Sequence, residues 1–201
     1  MQRWFRLLTV AALFATATPA FAIDDCATVN MSVSASLSSD PGFEGLYKYT
    51  VTGSWDVTQL GVSHFDFFLA LKNMECICDP RVIKFGSPAG QSTGTNAEGP
   101  CTSYYTGVYQ CMGDPSIPAE LRAPTVKFMH DAICEPGVAG TGTWVFYSPF
   151  PPAPFSVYPD AVAIKHGNGT CLGDLVGEMP NGDCATPAQA KSWGQIKSLY
   201  R

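Results

Sequence analysis

The stretch YKYTVTGSWDV, residues 47–57, alternates apolar and polar side chains along almost its whole length. Because successive residues of a strand point to opposite faces, this period predicts a strand with one solvated face and one buried face, on which Trp55 lies with Tyr49 and Val51. The stretch ATVNMSVSASL, residues 27–37, has the same period, and the turn-forming segment SSDPGFEG lies between the two. We therefore predict two strands that form a hairpin or lie as neighbours across a sandwich.

Further short strands are predicted as far as residue 180, and no stretch from residue 23 onward in that range has a helical period. Residues 86–100 are predicted to form a long polar loop. Residues 149–155, PFPPAPF, are predicted to form an extended loop, because proline removes backbone donors. The predicted fold is an all-β, disulfide-stapled antiparallel β-sandwich, immunoglobulin-like or jelly-roll. The further strands are SHFDFFLAL (63–71), RVIKF (81–85), SYYTGVYQC (103–111), PTVKFMH (124–130), TGTWVFYS (141–148), DAVAIKH (160–166) and LGDLVGEM (172–179).

The N-terminus has the pattern of a secretory signal peptide. Arg3 and Arg6 precede a short apolar run, and Ala20-Phe21-Ala22 is typical of a cleavage site. We predict a signal peptide over residues 1–22 and no transmembrane segment in the mature chain, which would be secreted, extracellular or cell-surface/periplasmic. Twelve basic against seventeen acidic residues give a net charge of −5, and no basic patch is evident, so nucleic acid is not expected as a partner.

Eight cysteines lie beyond the predicted signal peptide, and an even count in an exported chain favours four disulfides. Zinc-type C-x₂₋₄-C pairs and the redox C-x-x-C motif are both absent from the sequence, so no metal ion and no cofactor are predicted. Sequence does not choose among the pairings. Cys101–Cys111 and Cys171–Cys184 would make local loops, leaving Cys26 and Cys134 for Cys76 and Cys78. The cysteines are Cys26, Cys76, Cys78, Cys101, Cys111, Cys134, Cys171 and Cys184.

The chain is divided into the signal peptide, a β-sandwich domain over residues 23–184 and a tail over residues 185–201. The tail carries Lys191, Lys197 and Arg201 without an acidic residue, and its apolar residues fall at helical spacing. We predict a short basic amphipathic tail that contacts export machinery or the cell surface; the alternative is a tail that docks on its own domain or is frayed.

The runs YKYTVTGSWDV and GVSHFDFFLAL resemble uncharacterised extracellular β-sandwich domains of bacterial secreted proteins. The segment VAIKHGNGTCLGDLVGEMP and the ending SWGQIKSLYR resemble the close of such proteins. The resemblance implies a β-sandwich fold and export, and it implies no activity and no functional residue.

The best catalytic candidates are His64 and Asp66 in Ser63-His64-x-Asp66. On a strand they share a face, so Asp66 could orient His64 as a base. The alternative is a histidine that bonds a turn, beside an aspartate on a solvated face. Other acids, Asp114 among them, fall mostly at turns, where carboxylates serve local hydrogen bonding. No motif of a serine hydrolase, a zinc protease or a nucleotide enzyme is present in the sequence.

Tyr104, Tyr105 and Tyr109 are candidates for a binding surface, since rigid rings are good contact surfaces when exposed. The sequence therefore favours a secreted non-enzymatic module with a structural, adhesive or ligand-binding role, whose partner is an extracellular glycan or protein. The alternative is a small secreted hydrolase that uses His64 and Asp66.

Overall fold

The computed structural model describes residues 23–57, 60–69 and 83–180, and this part of the chain contains ten strands, one 3₁₀ turn at Ala119–Leu121 and no α-helix. The predicted signal peptide, the predicted tail, and Cys76, Cys78 and Cys184 lie outside these residues. The strands are β1 Ile23–Asp25, β2 Thr28–Leu37, β3 Tyr47–Asp56, β4 Val62–Phe68, β5 Gly90–Asn96, β6 Gly99–Gln110, β7 Thr125–His130, β8 Ala139–Ser148, β9 Pro152–His166 and β10 Gly169–Pro180.

The sheet closes into a single barrel of nine strands, from β2 to β10. Its order is β10-β2-β3-β8-β5-β6-β7-β4-β9, and β9 pairs again with β10. Eight of the nine pairings are antiparallel, and β2 runs parallel to β10. An odd number of strands cannot alternate all the way round, so one parallel seam is unavoidable. The short β1 adds to β10 beside the start of β2.

The predicted β-sandwich is therefore wrong, although the all-β class is right. A period of two indicates that one face of each strand is buried. Strands of a closed barrel and strands of a two-sheet sandwich both bury one face, so the pattern does not distinguish the two folds. The difference lies in the pairings of β10 with both β9 and β2, which join distant parts of the chain. Strand-by-strand patterning carries no information about such closure.

Two local predictions are also corrected. The segment predicted as a polar loop at residues 86–100 contains β5 and the start of β6, with Gln91, Thr93 and Thr95 directed outward. The proline-rich segment begins β9 instead of forming a loop. The first half of β9 pairs with β10 alone, because β4 contacts β9 only over residues 162–166 of the described chain. Proline is tolerated where a strand has one ladder to satisfy.

Aromatic rings occupy the barrel interior. Trp55 and Trp144 are both buried, as predicted for Trp55, and the Phe65 ring lies 4.5 Å from that of Trp144 and 5.0 Å from that of Trp55. Each indole ring packs against a glycine of β8 that leaves no room for a side chain. A Cβ on Gly142 would lie 2.7 Å from the Trp144 ring, and a Cβ on Gly140 would lie 2.6 Å from the Trp55 ring. The glycines in β8 thus make room for the two largest core side chains.

The disulfides differ from the suggested pairing. Cys26 is bonded to Cys171, which ties the link between β1 and β2 to β10 beside the parallel seam. Cys101 is bonded to Cys134, which ties β6 to the segment that follows β7. Cys111 is disulfide-bonded as well, and no described cysteine is free. The suggested pairing favoured neighbours in sequence, whereas the observed bonds join cysteines 145 and 33 residues apart that the strand pairings bring together.

No helix in the described ranges is long and apolar enough to cross a membrane.

Candidate functional site

His64 and Asp66 lie on the outward face of β4, side by side, as the period of the strand predicts. A bulge at Ser63 shifts the register against β9 and places Val62 in the interior, so the inward residues of β4 are Val62, Phe65 and Phe67. The expectation that Asp66 faces solvent is wrong, because Asp66 is fully buried and His64 is 5% exposed.

The cover over this face is the connection between β6 and β7, residues 111–124, which we call the covering loop. Its Ile117, Leu121 and Ala123 pack on Phe68 of β4 and Ala163 of β9, forming a second apolar cluster outside the barrel. The amide of Leu69 also donates to the carbonyl of Pro124. The outer face of β4 is thereby enclosed between the barrel wall and the covering loop.

Charged and polar side chains converge beneath the covering loop. His64 Nε2 lies 3.0 Å from Asp114 Oδ2, 3.3 Å from Asp66 Oδ2 and 3.3 Å from Ser116 Oγ. Lys127 of β7 donates to Asp114 Oδ2 at 2.6 Å. Ser116 donates to Asp114 from its amide at 2.8 Å and from its hydroxyl at 2.7 Å. We call these five residues the buried cluster.

Hydrogen bonds are divided unequally between the two carboxylates. Asp114 receives bonds from the amide and hydroxyl of Ser116 and from Lys127. Neither oxygen of Asp66 accepts a hydrogen bond from any described residue; its Oδ2 contact with His64 is an ion-pair approach only. Asp66 is therefore a buried carboxylate that lacks donors.

The pKa values follow from this division. Burial works to raise the pKa of Asp114, but the ion-pair contact with His64 and the hydrogen bonds from Lys127 and Ser116 hold it far below its usual value. Burial raises the pKa of Asp66, and His64 only partly offsets this effect. Burial opposes the charged form of His64, but Asp114 and Asp66 outweigh it and raise the pKa of His64. The two carboxyl groups of the cluster are therefore shifted in opposite directions: the pKa of Asp114 is lowered and that of Asp66 is raised.

Sequence reasoning found His64 and Asp66 but missed Ser116 and Lys127, and it treated Asp114 as one acid among several at turns. The available signals were an Asp-Pro-Ser turn directly after β6 and a lysine among the apolar residues of PTVKFMH. Neither signal says that the covering loop folds back onto β4, so neither could place these groups beside His64.

A second feature lies on the outer surface of the barrel, on strands other than β4. Two rows of uncharged polar side chains cross the outside of β2, β3, β8, β5 and β6. We call these ten positions the hydroxyl face. The first row is Ser32, Thr52, Thr143, Gln91 and Tyr104, and the second is Asn30, Ser54, Thr141, Thr93 and Thr102.

Eight of the ten positions, all except Ser32 and Tyr104, line a groove of about 610 Å³. It opens because β5 and β8 pair over only three residues, Gly90–Ser92, and then diverge. Thr93 Oγ1 bridges the gap, accepting from the amide of Thr141 at 3.0 Å. Cys101, bonded to Cys134, lines the same groove, so one border of it is covalently fixed.

The three tyrosines proposed as a binding surface do not lie together. Tyr104 is 47% exposed and stands at the end of the first row, whereas Tyr105 is 1% exposed and belongs to the interior beside Trp144. Tyr109 is partly buried and packs against the core. Of these three tyrosines, only Tyr104 has an exposed ring on the hydroxyl face.

Comparison with known proteins gives no further guide: no family model, no curated protein and no solved structure matches this chain.

Proposed function

We propose that this protein is a secreted, non-enzymatic binding module whose ligand is a neutral glycan held on the hydroxyl face. The observation that carries the proposal is the composition of that face: all ten positions are uncharged, and nine of them carry a hydroxyl or a side-chain amide besides the phenol of Tyr104. The cysteine bonds and the N-terminal pattern support export.

The chemistry of the face suits sugar hydroxyls. Serine, threonine, asparagine and glutamine each donate and accept hydrogen bonds, as a sugar hydroxyl does. Neighbouring strands are about 4.8 Å apart, so each row presents a regular series of such groups across the strands. The exposed ring of Tyr104 adds a flat apolar surface at the end of the row. An ionic ligand would find no counter-charge among these ten side chains.

The rigidity of the groove also favours binding. Its floor is sheet, and the Cys101–Cys134 bond fixes one border, so little conformational freedom is lost when a ligand docks. The barrel interior is not the site we propose, because aromatic side chains occupy it.

The hydrolase alternative has less support. The side chains of His64, Asp66 and Asp114 are 6%, 0% and 1% exposed, so a substrate would reach them only after the covering loop moved away. The buried cluster is better explained by a role that needs no access for a substrate.

A glycan array tests the proposal by comparing the mature wild-type protein with the double variant Thr52→Val/Thr143→Val. Valine keeps the β-branched shape and strand preference while removing the hydroxyl. We expect the wild type to bind neutral glycans, and the double variant to bind at least about tenfold more weakly, since each lost hydrogen bond costs about 1 kcal/mol.

The matched control is Thr106→Val, an outward position of β6 that does not line the groove and should bind as the wild type does. Equal binding by wild type and double variant would contradict the proposal, as would a preference for charged glycans alone.

A further inference from the structure

The buried cluster holds one unexplained feature, the donor-poor carboxylate of Asp66. Asp66 is fully buried, and neither oxygen accepts a hydrogen bond from a described residue. A buried carboxylate in this state calls for a proton or a cation. Its Oδ2 is directed to the point where His64 Nε2 and Asp114 Oδ2 also converge.

The three atoms have the spacing of metal ligands. A tetrahedral zinc ion with bonds of about 2.0–2.1 Å holds its ligand atoms about 3.3 Å apart. His64 Nε2 lies 3.3 Å from Asp66 Oδ2 and 3.0 Å from Asp114 Oδ2, and one ligand atom from each residue falls within 4.8 Å of the others. A single proton on Nε2 points to one oxygen only, whereas an ion at the centre would contact all three atoms.

The surrounding contacts are those expected around such an ion. Ser63 Oγ lies 3.2 Å from His64 Nδ1, which lets Nδ1 donate and leaves Nε2 free to coordinate. Lys127 and Ser116 hold Asp114 in place, as outer partners hold ligating carboxylates. With His64 neutral, the two carboxylates and Lys127 together carry a net charge of −1, and a divalent ion would change it to +1.

We propose that His64, Asp66 and Asp114 form a zinc site that fastens the covering loop to β4. Imidazole and carboxylate together suit Zn²⁺. The site links two strand residues to a loop residue, so the ion stabilises the cover and leaves the hydroxyl face untouched. The sequence did not predict it, because its ligands come from residues 64, 66 and 114 and match no ligand spacing.

Zinc content and affinity of the purified mature protein test this proposal, with Zn²⁺ itself as the probe. We expect one zinc per chain by mass spectrometry of the metal, a melting temperature that rises with Zn²⁺ and falls with a chelator, and affinity more than 100-fold lower in Asp66→Asn and in His64→Gln. The control His130→Gln removes a histidine outside the cluster and should bind zinc as the wild type does.

Asp66→Asn also separates the proposal from a protonated Asp66. Asparagine replaces a neutral carboxyl without loss of charge, so wild-type zinc binding in this variant would overturn the site. A wild type that neither contains nor binds equimolar Zn²⁺ would overturn it too.

If the variants fail to fold, X-ray absorption at the zinc edge of the wild type decides. A nitrogen and oxygen shell at about 2.0–2.1 Å supports the site, and a sulfur shell at about 2.3 Å places the ion on cysteines and overturns it.

Discussion

Single residues decide how the large core side chains fit. Gly142 lies where any side chain would press on the Trp144 ring, and the interior around both tryptophans is packed with further rings. Because the interior is packed this densely, even one added methyl group strains the neighbouring side chains. The period of the sequence predicted that Trp55 points inward, but it gave no reason for the glycines opposite the rings.

Gly142→Ala should destabilise the protein by about 1–3 kcal/mol, because its Cβ would overlap an indole with no space to retreat. Urea unfolding measures the change. Gly86→Ala is the matched control, since a Cβ there meets nothing closer than 3.6 Å. Equal stability of the two variants would show that the Trp144 ring is placed wrongly.

Lys127 is the cation that offsets Asp114. Lys127→Met should cost about 3–5 kcal/mol, because Asp114 would remain buried without its closest positive partner. The exposed Lys84 gives the control Lys84→Met, which should lie within about 0.5 kcal/mol of wild type. A small effect at Lys127 would mean that the covering loop lets water reach Asp114.

Tyr105 makes stability depend on alkaline pH. Burial raises its pKa to about 12, against about 10 in an unfolded chain. Between these values the folded protein keeps a proton that the unfolded chain loses, so stability falls as pH rises above about 10. Urea midpoints at pH 9, 10 and 11 should show a shallower fall in Tyr105→Phe than in the wild type. Identical falls would contradict the burial of Tyr105.

At the scale of elements, patterning predicted most strands, including β2, β3, β4, β7 and β8, because each buries one face with period two. It failed for the covering loop, whose apolar residues lack any period and whose partners lie on β4 and β9. For the same reason Asp114 and Ser116, two of the five residues of the buried cluster, escaped it. His64 and Asp66 share a strand, whereas Asp114 reaches them through a loop.

Ile117 tests the packing of the covering loop. Ile117→Ala should cost about 2–5 kcal/mol, because its side chain is buried against the outer cluster on β4 and β9. Ile133→Ala, at a residue 77% exposed, should change stability by less than about 0.5 kcal/mol. Equal, small effects would show that the covering loop does not pack on the barrel.

At the scale of the whole molecule, barrel closure separates three regions by chemistry. Aromatic rings fill the interior, the covering loop encloses the charged groups outside β4, and the hydroxyl face stands open across β2, β3, β8, β5 and β6. Closure depends on the seam between β2 and β10, which Cys26–Cys171 ties beside its start. No local pattern predicts such a seam, and so the hydroxyl face could not be assembled from sequence either.

The most direct measurement of the central claim is a nuclear magnetic resonance titration of the ¹⁵N-labelled protein with soluble neutral oligosaccharides. The account predicts amide shifts concentrated at the groove, at Thr52, Gln91, Thr102 and Thr143, with the covering loop unchanged. Shifts concentrated at the covering loop and His64, or no shift at millimolar sugar, would contradict it.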